Sequence, residues 1–497
     1  MKASDFSKPI RQSSKGIIII FAFNAYNFVR RFFVLFIAFG ISLTKKKTFA
    51  HVTPTVIFLV IIGILIVLLV LAILKYLNFK FYLSKDDFHL STGIINKDNT
   101  IISKSKIQNV YIKQNFLQQI INVVSLNIET AGDNKSEISI KALDKPTALK
   151  LKKELFTKSN STETLTDVVE SRNVFFRVSL KRLFLEGISQ NHLRSFLIIT
   201  SFVFGLYYEF KDYFRDLKLK QGLEELIHLD KESLLNIIII NTVFILVAIL
   251  ISLLFSVLKT VVTNFNLEVV ENQKTIEINK GLFNKVSLSL TPSRIQNIVI
   301  KTNRIKRYFD LHTLSVKQAM VTVKQRKNFV IIALEKEQLK HLVDKLLVNY
   351  TSAIERSNPK GYYKRILALN MFALALIINV PGFILFGNIM WYINIALVLF
   401  SVLYVTVTYR KAFYKIDDQF LTIGSGFIDT TTNILEIHKI QAVKLKQTIF
   451  QKRIQISSVI ISTASKSVKI PYVSETEAKS IYDYLLFKVE SQNRDWM

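Results

Sequence analysis

Residues 56–74 read VIFLVIIGILIVLLVLAIL, a run without a single charged side chain. A helix rises 1.5 Å per residue, so about 20 such residues cross a hydrocarbon core of roughly 30 Å. A buried soluble helix rarely needs that length without a charge, so the run is read as a transmembrane helix. Further apolar stretches make three pairs: 16–43 with 52–74, 193–208 with 234–258, and 366–386 with 389–408. A soluble block follows each pair. The pattern predicts a membrane protein carrying three copies of one small domain.

The N-terminus does not read as a cleaved signal peptide. Residues 16–29 are apolar, but Arg30-Arg31 follow where a small-residue cleavage site belongs. A second apolar run, 32–43, comes next, and neither run alone comfortably spans. One reading is an interfacial helix over 16–29 feeding a short or tilted span. The other is one long helix whose two arginines snorkel. The interfacial reading is favoured, because Asn24, Tyr26 and Asn27 suit the headgroup level.

Lys and Arg number 66 against 37 Asp and Glu, a net charge of +29. The excess is spread over blocks that flank the membrane, so anionic lipid headgroups are the expected partner. No zinc finger, homeodomain or comparable reader motif occurs, and no nucleic-acid partner is expected. A membrane-protein partner or a homo-oligomer is compatible with the same features. The chain has no cysteine, which excludes disulfides, thiol catalysis and cysteinyl metal sites.

Lys2, Lys8, Arg11 and Lys15 precede the first apolar run, and Lys75, Lys80 and Lys85 follow the second. Short basic flanks stay cytoplasmic, which puts the N-terminus and all three blocks inside. Lys45-Lys46-Lys47 argues the other way. Two-span hairpins keep the three blocks on one side whichever sign holds. Pro381-Gly382 is a candidate bend in the fifth span. The best-defined span cores carry no Asp, Glu, Lys or Arg, whereas an ion-coupled pump usually needs such a group at depth. Asn241, Asn370 and Asn379 read as packing residues between helices.

The soluble blocks share a register. Gly93, Gly281 and Gly426 are each followed thirteen positions later by a basic residue, Lys106, Arg294 or Lys439. An alanine stands a further twenty-five positions on: Ala131, Ala319, Ala464. Fixed spacing across three copies marks a duplicated unit. The basic residue opens Lys106-Ile107-Gln108-Asn109-Val110, Arg294-Ile295-Gln296-Asn297-Ile298 and Lys439-Ile440-Gln441-Ala442-Val443.

Within a block the period is two. Asn122–Thr130, Phe265–Val269 and Ile276–Ile278 read as strands, and Ile107 falls out of phase with Val110–Ile112, which predicts a turn or bulge. Gly93 suits a hairpin turn needing positive φ. The blocks close on amphipathic stretches beginning near Pro146, Glu335 and Glu475, each read as a helix. The unit is thus about six or seven short strands and one helix that covers the open end of the sheet.

That order resembles the bacterial pleckstrin-homology-like domain. Phe6–Ser13 (FSKPIRQS), Ser105–Val110 (SKIQNV) and Leu126–Gly132 (LNIETAG) are similar to the YdbT-like bacterial membrane proteins, which carry three such domains. Leu185–Ser195 also fits, with Ser189-Gln190-Asn191 where that family more often has Thr-Glu-Asn. The second block departs where the first has Gln114 and Gln118, carrying Thr302 and Lys306. The third keeps Gln447 and Gln451 but has Ala442 in place of the motif Asn. A Gln/Asn ligand set would therefore not bind equally in the three copies. The resemblance implies a multi-pass protein of the bacterial cytoplasmic membrane and a part in envelope maintenance or stress tolerance. It implies no reaction.

Together these readings predict an α+β multidomain membrane protein: three transmembrane helical hairpins alternating with three PH-like β-barrel or sandwich domains, each closed by a C-terminal helix. The expected boundaries are 1–76 (interfacial segment and first hairpin), 77–160 (domain 1), 161–258 (linker and second hairpin), 259–350 (domain 2), 351–409 (linker and third hairpin) and 410–490 (domain 3).

The candidate contact residues are Lys106, Gln108, Asn109, Arg294, Gln296, Asn297, Lys439 and Gln441. In the structural reading the basic side chain covers apolar surface beside a turn and Gln pins a loop. In the functional reading the basic residue meets phosphate or carboxylate of a lipid or a partner, while Gln and Asn shape the pocket. Catalysis has less support. The seven histidines form no HExxH or close ligand cluster, and no GxSxG, P-loop or Rossmann fingerprint occurs. No catalytic residue, metal or cofactor is expected. The leading expectation is a non-enzymatic membrane scaffold whose domains bind protein partners or anionic lipid. The alternative is a transporter or lipid-handling protein gated by those domains.

Overall fold

The computed structural model describes the chain except residues 1–5, 45–53, 131–136, 157–172, 191, 193–195, 203–204, 206–233, 273–274, 291, 319–328, 351–354 and 492–497. In chain order, α1 (Gly16–Thr44) and α2 (Pro54–Asn78) lead to β1 (Lys80–Leu83), β2 (Asp87–Thr92), β3 (Asp98–Ser103) and β4 (Ile107–Gln114). Then come a short helix α3 (Phe116–Ile120), β5 (Val124–Thr130), β6 (Glu137–Leu143), α4 (Lys145–Phe156) and β7 (Asn173–Arg177). The second copy follows α5 (Leu180–Ser189) and α6 (Leu234–Asn264). Its elements are β8 (Glu268–Glu271), β9 (Ile276–Lys280), β10 (Lys285–Leu290), β11 (Ile295–Thr302), α7 (Arg304–Tyr308), β12 (His312–Gln318), β13 (Val330–Leu334) and α8 (Lys336–Leu346). The third follows α9 (Tyr362–Phe386) and α10 (Ile389–Lys411). It comprises β14 (Phe413–Ile416), β15 (Phe420–Ser425), β16 (Thr430–Glu436), β17 (Ile440–Lys446), α11 (Ile449–Arg453), β18 (Ile456–Thr463), β19 (Ser467–Ser474) and α12 (Glu475–Glu490).

Each copy is therefore six strands in two antiparallel meanders, then one helix. The glycine that ends the first hairpin needs its backbone freedom. Gly93, Gly281 and Gly426 have φ of 106°, 110° and 129°. A Cβ on Gly93 would stand 1.8 Å from the carbonyl oxygen of Asn96, and the other two sites are equally closed. A 3₁₀ turn links the meanders and a bulge follows it. Strand register shifts between Ile107 and Asn109, between Ile295 and Asn297, and between Ile440 and Ala442. The out-of-phase Ile107 thus marks a feature built into all three copies.

The chain divides into two compact units, residues 1–175 with 269–289, and residues 176–268 with 290–497. The division passes through the middle copy. In the first unit, one core joins Phe81, Phe88, Val110, Leu126, Ile128 and Ile140, from both meanders of copy 1. The helix α4 covers it with Ala148, Leu151 and Leu155, spaced three and four apart. In the second unit, copy 3 repeats this arrangement. Leu421, Leu435, Val459, Ile461 and Ile470 meet Ala478, Ile481 and Leu485 of α12. Both copies are sandwiches of two sheets with a helix over the open end.

The sheets do not close on themselves. Their strand orders are β1-β2-β3, then β6-β5-β4-β10-β9-β8-β7, then β13-β12-β11-β16-β15-β14, then β17-β18-β19. The third strand of a copy pairs with the fourth strand of the copy before it, not with its own fourth strand. The sequence reading left barrel and sandwich open; the sheet orders favour the sandwich and add a continuity between copies that it did not anticipate. Two smaller differences concern boundaries. Strand β8 starts at Glu268 because α6 runs on to Asn264 and Asn266 turns at φ 50°, so Phe265–Leu267 are not strand. Residues 16–29 and 32–43 form one unbroken helix through Arg30-Arg31, because nothing in that stretch removes a backbone donor. An interfacial helix separate from the span is not what forms.

A short extended segment precedes each copy's helices and borders its first strand. Ile10 bridges Phe81 of β1 with two hydrogen bonds of 2.8 and 2.9 Å. Strand β7 borders β8. Ser357 bridges Tyr414 of β14 at 3.0 and 2.9 Å. The root of the next helix then packs on the last strand of the copy: α1 on β6, α5 on β13, α9 on β19. Repeating geometry at both places carries the duplication beyond the blocks that the sequence marked.

Among the described residues, five helical stretches are long and apolar enough to cross a membrane: Gly16–Phe33, Thr55–Asn78, Leu246–Asn264, Tyr362–Ile384 and Met390–Lys411. Helix α1 packs on α2, where Lys75 Nζ donates to Asn24 Oδ1 at 3.2 Å, and α9 packs on α10. Helix α9 continues through Pro381, and Gly382 lets Met390 approach. Asn379 and Asn394 exchange hydrogen bonds of 2.8 and 2.7 Å between α9 and α10, the packing role expected of Asn379. Half of 193–208, the loop 209–233 and Lys45–Lys47 lie outside the described residues, as do Ala131, Ala319 and the side chain of Asn241.

A candidate headgroup site: four lysines beside a membrane helix

The motif residues occupy one structural position in three environments. Lys106 ends its 3₁₀ turn exposed, and Arg294 is half-buried, with burial lowering its pKa. Lys439 is 3% exposed; its Nζ donates to the Ile295 carbonyl at 2.7 Å and pairs with Glu436 at 2.9 Å. A lysine so enclosed cannot meet a bilayer, so the headgroup expectation is corrected for Lys439: it ties β16 and β11 together. Asn109, Gln296 and Asn297 are buried as well, at 3%, 1% and 1%. Gln441 is exposed, and the side chain of Gln108 lies outside the described residues. The structure does not gather these residues around one cleft.

The Gln positions also have internal partners. Gln114 Nε2 donates to the Val123 carbonyl at 3.0 Å, Gln447 Nε2 to the Ile456 carbonyl at 3.2 Å, and Thr302 Oγ1 to the Leu311 carbonyl at 3.4 Å. The same carbonyl of the repeat is reached each time, so the Gln-to-Thr change preserves the contact. Gln118 and Gln451 complete capping boxes for α3 and α11 with Asn115 and Thr448. These side chains anchor backbone within their own copy.

Lys306 stands where the other copies have those capping glutamines, and it is used differently. Its Nζ meets Glu186 Oε1 at 2.5 Å and Thr313 Oγ1 at 2.8 Å, all three side chains being buried. Asn303 Nδ2 nearby reaches the Ser189 carbonyl at 2.7 Å and Asp429 Oδ1 at 3.2 Å. The cluster fastens α5 to α7. Glu186 was not singled out from sequence, although it falls on the apolar face that includes Leu183. An acid on an apolar face was the available signal.

An open basic surface lies elsewhere in the same unit. Two adjoining cavities, of 380 and 490 Å³, share Ser425, Asn433 and Lys466. One is walled by Tyr363, Leu367 and Asn370 of α9 together with Lys469 and Tyr472, the other by Lys301 and Lys317. Among the described residues no Asp or Glu lines either cavity. Strands β11 and β12 bring Lys301 and Lys317, and β16 supplies the floor through Asn433, 4% exposed. The Lys469 ammonium lies 4.8 Å from the centre of the Tyr472 ring. Burial, then the Lys446 charge, lowers its pKa. Four ammonium groups along one partly enclosed surface make a positive potential that favours an anion. The groove opens at the root of α9, where a candidate span leaves its domain. Sequence could not assemble it, because Lys301 and Lys466 meet only through the pairing of β11 with β16.

Comparison with known proteins places the repeats in a wider set. The bacterial PH domain family matches the chain three times, over residues 32–158, 225–349 and 373–488. The UPF0699 transmembrane protein YdbT of Bacillus subtilis (strain 168) is 26% identical over 434 residues, which cover 82% of this chain and 84% of that protein.

Proposed function

We propose that this chain, which belongs to the bacterial PH domain family, is a membrane-embedded scaffold whose domains stand on one face of the bilayer and hold anionic lipid headgroups and protein partners. The observation that carries the reading is the gathering of Lys301, Lys317, Lys466 and Lys469 along one groove beside α9. Each lysine near an anionic surface contributes about 1 kcal/mol of attraction. Three membrane hairpins return the chain to the same face before every domain, and the basic flanks make that face cytoplasmic.

The test uses the full chain in a mild detergent. Phosphatidylglycerol and phosphatidylcholine are offered together, and the lipids retained are identified by native mass spectrometry. The wild type retains the anionic lipid preferentially. Replacing all four lysines by glutamine lowers that retention by about tenfold or more, by the same arithmetic. Unchanged preference in a folded quadruple variant removes the headgroup reading. Sidedness is read separately, by impermeant thiol labelling of single cysteines placed at the exposed Lys106 and Lys466. Labelling from opposite faces removes the shared-face architecture.

A further inference from the structure

The two joints between copies have the same register. At the first, Lys285 of β10 lies opposite Gln114 of β4 and Val286 opposite Lys113. At the second, Thr430 of β16 lies opposite Thr302 of β11 and Thr431 opposite Lys301. Counted from the repeat glycine, these are the same positions. The turn after that glycine meets the preceding copy at both joints. Gln119 Nε2 caps the carbonyls of Leu282 and Phe283 at 3.0 and 2.9 Å. At the second joint Asn303 Nδ2 of the preceding copy reaches Asp429 Oδ1 of this turn at 3.2 Å, while Lys411 of the same copy as the turn caps the carbonyls of Phe427 and Ile428. Phe116 meets Phe283 edge to face, with ring centres 5.9 Å apart.

Among the described residues the first and third copies each leave one half-joint unfilled. Strand β3 is an outer strand of its sheet, as is β17 of its own. Among the described residues neither outer edge has a paired strand. The apolar residues that a joint would cover lie open. Ile101 is 63% exposed, whereas its counterpart Ile434, inside the second joint, is 1% exposed. At the glycine turn Ile95, the counterpart of Phe283, is 99% exposed. Ile449, the counterpart of Phe116, is 87% exposed.

We propose that β3 of one molecule pairs antiparallel with β17 of a second copy of this chain, forming a third joint in the register of the two internal ones. The proposal rests on the scaffold reading and names its partner. The transferred register sets Asp98 opposite Lys446, Asn99 opposite Leu445, Thr100 opposite Lys444 and Ile101 opposite Val443. It puts Ile95 against Ile449. It also gives Lys106 the task of Lys439, donating across the joint to the Ile440 carbonyl. Lys444 and Lys446 on an open edge oppose pairing of β17 with itself, and Asp98 favours the heterologous choice. Such a contact repeats from molecule to molecule and closes a ring or extends a row in the plane of the bilayer.

The absence of cysteine makes the test clean. Two differently tagged chains, one carrying Asn99→Cys and the other Leu445→Cys, are co-expressed and oxidised in native membranes. A disulfide joining the two tags is intermolecular by construction. The same two positions in the second joint, Thr432→Cys with Ile300→Cys in one chain, show whether this geometry accepts the bond. The expected result is a mixed-tag dimer at least about tenfold above that of Asn99→Cys with Lys444→Cys, whose side chains face opposite sides. Asp98→Lys lowers the yield about fivefold, and Lys446→Asp in the other chain restores it. Crosslinking in the internal control without mixed-tag dimer overturns the proposal. So does a doubly substituted single chain that closes only on itself. The lipid-retention experiment is read on separate lysines, so loss of headgroup preference with the dimer intact would remove the headgroup reading alone.

Discussion

Lys106 and Lys439 hold the same place in the repeat, yet one is exposed and the other is 3% exposed and bonded twice. The difference lies in what stands next to them. A preceding copy supplies the Ile295 carbonyl to Lys439, whereas among the described residues Lys106 belongs to the first copy and stays exposed. A residue's role in an array is therefore set by its neighbour as much as by its own repeat. Lys306 shows the same at the centre, where a position that caps a helix in copies 1 and 3 is taken over by the buried pair with Glu186.

The largest expected effect attacks the contrast directly. Lys439→Met leaves Glu436 without its main partner inside the joint. Breaking a buried pair costs about 3–5 kcal/mol. In dilute detergent, Lys106→Met shifts stability by no more than about 0.5 kcal/mol, as an exposed site should. Denaturant unfolding followed by proteolysis of each full-length variant reads both, and equal costs would break the comparison. The central copy sharpens it. Lys306→Gln strands the Glu186 carboxylate and loses about 3 kcal/mol, while adding Glu186→Gln recovers most of that loss. A double variant as unstable as the single one would show that the pair does not govern the site.

A fourth lysine tests burial itself. Lys280 in β9 is 8% exposed, and burial lowers its pKa from 10.5 to about 8. Its folded pKa lies below its unfolded one, so the unfolded chain holds more protons between about pH 8 and 10.5. Stability therefore rises with pH through that window, and below pH 8 the penalty is fully present. Lys280→Met is expected to gain up to roughly 3 kcal/mol at pH 7, from about 1.36 kcal/mol per pKa unit, and to flatten the rise. An unfolding midpoint that climbs equally in the variant assigns the pH response to other groups. The smallest effect concerns the shared backbone anchor. Gln114→Ala, Thr302→Ala and Gln447→Ala should each lose about 1 kcal/mol, measured in the same unfolding assay, because each removes one hydrogen bond to the same carbonyl of the repeat. A neutral Thr302→Ala would mean that copy 2 has abandoned that anchor.

Much of the fold was legible. The charge-free run at 56–74, the repeat glycines, the alternating strands and the closing helices all appear where residue chemistry places them. The candidate site was legible only in kind. Basic residues beside membrane helices were expected, but the motif lysine chosen in copy 3 is a buried tie, and the groove lysines Lys301, Lys317, Lys466 and Lys469 were not picked out. Lys301 and Lys466 are far apart in sequence, and no local period links them. Residues 6–13 drew notice through resemblance, while the equivalent segments at 173–177 and 357 did not, because their shared property is a backbone bridge.

What the sequence determined alone is whatever each stretch settles with its own side chains: apolar length for the spans, glycine for the turns, period for the strands, and capping and amphipathic spacing for the closing helices. The tertiary structure decided which strand lies beside which. Backbone N–H and C=O groups are alike in every residue, so a strand's choice between its own copy and the next leaves no mark in composition. That choice joins β4 to β10 and β11 to β16, encloses Lys439 and assembles the basic groove.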